Sequence, residues 1–451
     1  MDQKHLYSTG WRDSTKRFEK GLSLRRLVRN RYLMASAAGS ILMALFLVFY
    51  GVPWTPGRIN RVPGAHSEGE GPARSPAWAS VSGQASVTPG DLDLDPTRIS
   101  DRFLLTREGA SLLVESTLDP DLQGYLVRVL QNSLNLKAAA VVLRPDDGRI
   151  LAMASFHQDQ DGGDLCLRAD FPAASLFKIV SAAAAFEYAG FTPEKTVYFN
   201  GRKHTLYKSQ LKQRIGRYTS SISFKRAFAS SINPVFGKLG IYDLGQKAIL
   251  DSAERFLFNR PIPFDLPVAM SVVQVPGDDF GLAEIATGFN KETTISPLHA
   301  AMLASAVVNR GVMMKPYIIK RISLENGRVL YTNTPGETIR SINPNTAAKL
   351  KVLMKATVTH GTCRKCFRGL RRKKAYRNVE LGAKTGTIND RSDRFKYDWF
   401  TAYMIPSSGK GGICVAVLGI HGKKLGIRAN RLGRSIIDHF LRSPSHPASA
   451  S

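Results

Sequence analysis

A chain of 451 residues with 43% hydrophobic and 22% charged side chains holds enough apolar surface for one large domain with appendages, which excludes a wholly disordered protein. Its 63 Lys and Arg against 36 Asp and Glu give a net charge of +27, an excess that calls for an anionic surrounding such as phospholipid headgroups, an acidic polymer or nucleic acid. Four cysteines are too few for a disulfide scaffold.

Residues 1–31 carry nine Lys/Arg and three acids. They precede an uncharged run from Tyr32 to Val52, YLMASAAGSILMALFLVFYGV. As a helix this run spans roughly 31 Å, the thickness of a bilayer core, and Tyr32, Tyr50 and Trp54 stand where interfacial aromatics belong. A core helix would show a polar face, and a signal peptide would show a shorter run and a small-residue cleavage site. Here Pro53-Trp54-Thr55-Pro56 follows instead. The run is therefore expected to be an uncleaved transmembrane helix. The positive-inside rule then puts the basic tail (1–31) in the cytoplasm, against anionic inner-leaflet lipid. The rest of the chain is expected outside the cytoplasmic membrane, on the periplasmic side, where nucleic acid is not an expected partner.

Residues 53–100 repeat proline at 53, 56, 63, 72, 76, 89 and 96 with Gly, Ser and Ala between. They read as a tether. Apolar patterning resumes near Phe103, so the globular domain is placed at 101–443, with a polar, disordered tail at 444–451.

Within that domain, Asp119-Pro120 opens a helix with apolar Leu122, Tyr125, Leu126, Val129 and Leu130. AAAVVLRPDDGRILAMAS reads as a β-hairpin turning at Asp-Gly, and IIKRISLENGRVLYT as a second turning at Asn326-Gly327. DWFTAYMIP and GICVAVLGIHG read as two further strands, followed by a helix over NRLGRSIIDHFLR. The stretch from about 175 to 310 is mostly helical in pattern. The expected class is α/β (α+β), one sheet built from both ends of the domain with a helical lobe inserted.

Ser175-Leu176-Phe177-Lys178 heads an apolar, Ala-rich helix running to Tyr188. Positions i and i+3 share a helix face, so Lys178 can return its amine to the Ser175 hydroxyl. A lysine serves as the base for a serine nucleophile when burial and neighbouring cations lower its pKa. Backbone N–H groups at the helix start can receive a developing oxyanion. Ser-x-x-Lys also occurs at Ser209 and Ser407, but in polar surroundings. Ser231-Ile232-Asn233 can pass a proton and hold a substrate amide, and the same pattern recurs at Ser341-Ile342-Asn343. Lys384-Thr385-Gly386-Thr387 occurs once, after a strand-like segment. Its Gly admits close backbone approach, and Lys384 can meet a carboxylate.

The order Ser-x-x-Lys, Ser-x-Asn, Lys-Thr-Gly resembles that of class A β-lactamases and penicillin-binding proteins. Across about residues 115–440 the chain is similar to the penicillin-binding protein transpeptidase domain, with STLDPDLQ, VVLRPDDGRILAMAS, FPAASLFKIVSAAAAFE, SPLHAAMLASAVVNRG and DWFTAYMIP in family order. The resemblance implies an antiparallel sheet sandwiched by helices and an acyl-enzyme cycle on D-Ala-D-Ala stem peptides of peptidoglycan, trapped by β-lactam antibiotics. It makes Ser175 the nucleophile, Lys178 its base, Ser231 and Asn233 the second motif, and Lys384, Thr385, Gly386 and Thr387 the substrate strand. The N–H groups of Ser175 and Thr387 are then the implied oxyanion hole. Where the family has Gly-Gln-Gly before the SPL segment, this chain reads Gly288-Phe289-Asn290. The tether is too short for a glycosyltransferase domain or a large pedestal.

A D,D-carboxypeptidase differs only in passing the acyl group to water, so it is the nearest alternative. A β-lactamase is disfavoured because no Glu-x-x-Leu-Asn lies between the last two motifs. A non-enzymatic β-lactam sensor would need a cytoplasmic effector, which residues 1–31 do not hold, and a structural subunit of a wall-building complex would need neither Ser175 nor Lys178 intact. No cofactor is expected. Cys363-Arg364-Lys365-Cys366 lacks a second ligand pair beyond His360, so no zinc is assigned. It reads as two thiols, or a small disulfide, in a basic loop, and Cys166 and Cys414 stay unassigned. Charge outside the tail totals +21 and is densest at Arg364–Arg377, which suits an anionic envelope polymer or lipid surface.

Overall fold

Two hairpins and a helix come early in the described chain: strands β1 (Arg102–Arg107) and β2 (Ala110–Ser116), helix α1 (Pro120–Gln131), then strands β3 (Lys137–Leu143) and β4 (Ile150–His157). The computed structural model describes residues 87–443 apart from 160–161, 371–372 and 410. The expected cytoplasmic tail, the 32–52 helix, most of the 53–100 tether, the 444–451 tail and the basic residues Arg371 and Arg372 lie outside the described residues. Among the described residues no helix is long and apolar enough to cross a membrane. Val87, Leu92, Leu94 and Ile99, within the stretch read as tether, are buried against the core. These apolar residues are spaced without period between Asp and Pro, so sequence pattern gives no sign of their packing.

Helices α2 (Lys178–Tyr188), α3 (Asp279–Thr287) and α4 (Pro297–Val308) follow, then strands β5 (Ile319–Leu324) and β6 (Val329–Thr332) and helix α5 (Pro344–Thr359). The chain ends in strands β7 (Val379–Asn389), β8 (Lys396–Pro406) and β9 (Ile413–His421) and helix α6 (Ala429–Arg442). A five-stranded antiparallel sheet runs in the order β7-β8-β9-β3-β4. It draws its strands from the two ends of the domain, and the helical segment between them is inserted.

Both faces of this sheet are covered, which is why its strands read as near-continuous apolar runs. Along β3, Ala138, Ala140 and Val142 pack with Leu122, Leu126 and Leu130 of α1 and with Leu432, Ile436 and Phe440 of α6. The alternate residues Ala139, Val141 and Leu143 face a larger cluster with α2 and α4. Each fully buried Val, Leu, Ile or Phe side chain among these stabilises the fold by about 1.5–3 kcal/mol.

Two local features depart from the sequence reading. The Asn326-Gly327 hairpin joins β1 and β2 in a separate four-stranded sheet, β1-β2-β5-β6, not the central one. The β1–β2 turn is Glu108-Gly109, both with positive φ, and Glu in its first position hides it from a search for Asn-Gly or Asp-Gly. A second small hairpin, Thr196–Phe199 with Ser220–Ser223, lies in the stretch read as helical. Its strands are four residues long and largely exposed, too short for a period to register.

Candidate active site

The segment entering Ser175 is fastened on every side. Phe171 and Pro172 pair with Thr294 and Ile295. The Ala173 N–H donates to the Thr293 carbonyl at 2.8 Å, and the Trp399 indole N–H donates to the Pro172 carbonyl at 2.8 Å. The chain then turns sharply through Ala174, whose φ of +48° costs an L-residue roughly 1–2 kcal/mol. Ser175 therefore sits in a 3-10 turn, Ala174–Phe177, one step before the α-helix that begins at Lys178, and not in its first α-turn. The turn leaves Ser175 half-buried with its hydroxyl within reach of the Lys178 amine.

Two glycines bring other elements against this turn. Gly288 caps α3 with a φ of +65°, and a Cβ there would meet the Ala174 carbonyl oxygen at 1.9 Å. A Cβ on Gly386 would meet the Ala174 Cβ at 3.1 Å and the Ser175 nitrogen at 3.3 Å, so the glycine lets β7 lie close beside the serine. Substituting Gly288→Ala is expected to lower the melting temperature and slow acylation of Ser175 together, because relief of the contact must displace Ala174. Thermal melts and single-turnover labelling check this. A lower melting temperature with unchanged labelling would show that Gly288 does not position the serine.

Lys178 is fully buried. Its Nζ lies 2.9 Å from Ser175 Oγ, 2.9 Å from Asn233 Oδ1 and 2.5 Å from the Thr287 carbonyl oxygen. The last two partners can only accept, so a neutral amine spends both hydrogens on them and turns its lone pair to the Ser175 hydroxyl. Burial, with the charge of Lys384 added, pushes the Lys178 pKa well below its ordinary value. The Phe236 ring face, 5.5 Å away, offsets part of the desolvation.

Asn233 is oriented by its other end, where Nδ2 donates to the His204 carbonyl at 3.1 Å. The His204 Nδ1–H reaches the Ser231 carbonyl at 3.2 Å. Ser231 takes a φ of +53°, a second left-handed residue in one site, and its Oγ accepts from Lys384 Nζ at 3.1 Å. Lys384 also donates to the Thr385 carbonyl at 2.7 Å and lies over the Phe228 ring at 5.6 Å. It too is fully buried, and burial pushes its pKa down to about 7. The site thus holds two buried lysines whose hydrogen-bond partners include no carboxylate.

Strand β7 is the edge of its sheet. Thr385 and Thr387, two apart, present their backbone groups on the same edge, where an extended peptide can add as a strand. The Thr385 and Thr362 hydroxyls share a hydrogen bond at 2.7 Å. Thr387 Oγ1 donates to Asp398 Oδ1 at 3.1 Å, and Arg428 clamps Asp398 through Nε at 2.8 Å and Nη2 at 2.9 Å. Burial alone would raise the Asp398 pKa. The His421 ring 3.6 Å away, the Arg428 charge and the Ala429 N–H outweigh it and leave the pKa lowered.

All eight residues named from the sequence meet around this cleft, and the decoy motifs do not. Ser209 is exposed on a four-residue helix and Ser407 is exposed at the end of β8, while Asn343 caps α5 by accepting from the Thr346 N–H at 2.8 Å. No local motif points to Thr287, His204, Thr362, Asp398 or Arg428, which act through backbone carbonyls or from distant segments. In the sequence Gly288 stands out only as part of the Gly288-Phe289-Asn290 departure from the family pattern. The four cysteines are free thiols, and burial pushes Cys363, next to Thr362, up to about 12.

The family described as penicillin binding protein transpeptidase domain matches residues 138–434. The chain is 26% identical over 389 residues to the peptidoglycan D,D-transpeptidase PbpA of Mycolicibacterium smegmatis, covering 77% of this chain and 76% of that protein. It is also 26% identical to PbpA of Mycobacterium tuberculosis, covering 76% of this chain and 75% of that one. Among solved structures it is similar to the imipenem acyl-enzyme of penicillin-binding protein A from M. tuberculosis, with a TM-score of 0.59, 25% identity, and 72% and 79% of the two chains covered. A D,D-transpeptidase domain from Eggerthella lenta shares the fold, with a TM-score of 0.60, 23% identity, and 73% and 82% covered.

Proposed function

Because the chain belongs to the penicillin-binding protein transpeptidase domain family, we propose that it is a serine D,D-transpeptidase that cross-links peptidoglycan stem peptides and is acylated by β-lactams. The observation that carries the residue assignment is the Lys178 amine, fully buried, 2.9 Å from Ser175 Oγ, with two carbonyl acceptors on its other side.

In this reading Lys178 takes the Ser175 hydroxyl proton as Oγ attacks the carbonyl carbon of the penultimate D-Ala. The oxyanion forms against the N–H groups of Ser175 and Thr387. The C–N bond breaks, the leaving D-Ala amine gains a proton passed along Lys178 and Ser231, and an ester remains on Ser175. An acceptor amine then attacks that ester, a new C–N bond forms, the C–Oγ bond breaks, and the amine's surplus proton returns to Ser175 Oγ. Asn233 holds the substrate amide, while Lys384, Thr385 and Thr387 hold the donor along β7, with its terminal carboxylate at Lys384 and Thr385. Residues 32–52 anchor the enzyme in the cytoplasmic membrane, with residues 1–31 cytoplasmic and the domain on the periplasmic face.

Incubating the protein with a pentapeptide ending in D-Ala-D-Ala and an amine acceptor tests the reaction. Released D-Ala with a cross-linked product is the expected result. D-Ala release with a tetrapeptide as the sole product would make the enzyme a carboxypeptidase.

A further inference from the structure

A large open groove lies along the start of β7 and has no part in the chemistry described so far. Its volume is about 1320 Å³, above the roughly 300–1,000 Å³ of small-molecule sites. Lys225, Lys355, Arg364, Arg368 and Arg377 line it, with Glu380 as the acid among them. Glu380 is already held by Lys351 at 3.2 Å and Lys355 at 3.5 Å, and Lys225 pairs with Glu194. Arg364, Arg368 and Arg377 are exposed, and no ion pair to any of the three occurs among the described residues.

The groove is continuous with the substrate strand. The start of β7 lines it. Arg364 lies two residues beyond Thr362, whose hydroxyl bonds Thr385 and whose N–H donates to the Ala229 carbonyl at 3.0 Å. In the reaction above, the amine that leaves and the amine that attacks occupy the same position on the carbonyl carbon, because the second half-reaction is the first run backwards. The leaving residue has its carboxylate at Lys384 and Thr385, so the acceptor must arrive from that end of the strand, and the groove opens there.

We infer that this basic groove seats the acceptor stem peptide, with Arg364, Arg368 and Arg377 pairing its free carboxylates. The inference rests on the transpeptidase reading and adds the second substrate's place.

The test compares the full-length chain with an Arg364→Gln/Arg368→Gln/Arg377→Gln triple variant and a matching triple Lys variant. The probes are an acidic stem-peptide acceptor, its carboxamide form, and fluorescent penicillin. Loss of three exposed ion pairs is expected to raise the apparent KM for the acidic acceptor about tenfold. The KM for the carboxamide acceptor and the rate of penicillin labelling should change less than about twofold, since neither uses these pairs. The Lys variant should keep most of the affinity, and added salt should raise the acidic-acceptor KM of the wild type but not of the Gln variant. Equal KM values for the acidic acceptor in wild type and Gln variant would overturn the assignment. So would loss of binding to anionic vesicles or wall polymer with the acceptor KM unchanged, which would make the groove an envelope-docking surface. A wild-type chain that penicillin does not label would instead overturn the transpeptidase reading itself.

Discussion

Alanine in place of Ser175 is expected to give a folded protein that no β-lactam labels. The hydroxyl oxygen is the atom that would form the covalent bond, so its loss removes the reaction and does not merely slow it. No neighbouring serine is placed to substitute. Ser231 is buried and its Oγ is engaged by Lys384, while Ser209 and Ser407 lie exposed outside the cleft. The cost to stability is about 1 kcal/mol, that of one side-chain hydrogen bond. Mass spectrometry of the protein after fluorescent penicillin should find a single adduct on the peptide bearing Ser175 in the wild type and none in the variant. An adduct on another serine, or labelling undiminished by the substitution, would remove Ser175 from the mechanism.

Lys178→Met keeps the length of the side chain and deletes the base. Acylation is expected to fall by about 10²–10⁴-fold, the contribution of a positioned general base. A second readout separates this from a structural effect. The Lys178 pKa is pushed well below its ordinary 10.5 in the folded protein, so the unfolded chain binds more protons than the folded one across that interval. Stability must therefore rise with pH between the folded and unfolded values. Removing Lys178 takes its share of that rise away, up to about 1.4 kcal/mol per pH unit. Thermal melts at pH 7 and pH 8.5 should show a smaller gain with pH in Lys178→Met than in the wild type. An equal gain in both would mean that Lys178 is not held neutral by its burial, and its role as base would fall with it.

The motifs were legible because their chemistry is written in residue types at fixed local spacing. Ser175 and Lys178 are three apart, and Lys384 to Thr387 are consecutive. The strands β3, β4, β8 and β9 were legible because burial on two faces makes an unbroken apolar run. What stayed hidden depends on partners far along the chain. Thr287 contributes a carbonyl that any residue could supply, and Arg428 matters only because it lies beside Asp398. The Ala174 turn shows the same limit from the other side. Its backbone is left-handed without a glycine to announce it, and the glycines at 288 and 386 leave the room beside it that a side chain would fill.

The central sheet also dictates when the enzyme can come into being. Strand β3 is flanked by β4, its immediate successor, and by β9, where Val417 faces Ala140 across nearly the whole length of the domain. Closing so long a loop comes before any of its contacts can form, which places the domain among slow folders. Until the last strands are made, the β3–β4 hairpin carries an apolar, unpaired edge of the kind that recruits other chains. Ser175 and Lys178 are made early but cannot meet Lys384 before that edge closes, so a nascent or truncated chain is expected to be inert toward penicillin, and labelling would report completed folding.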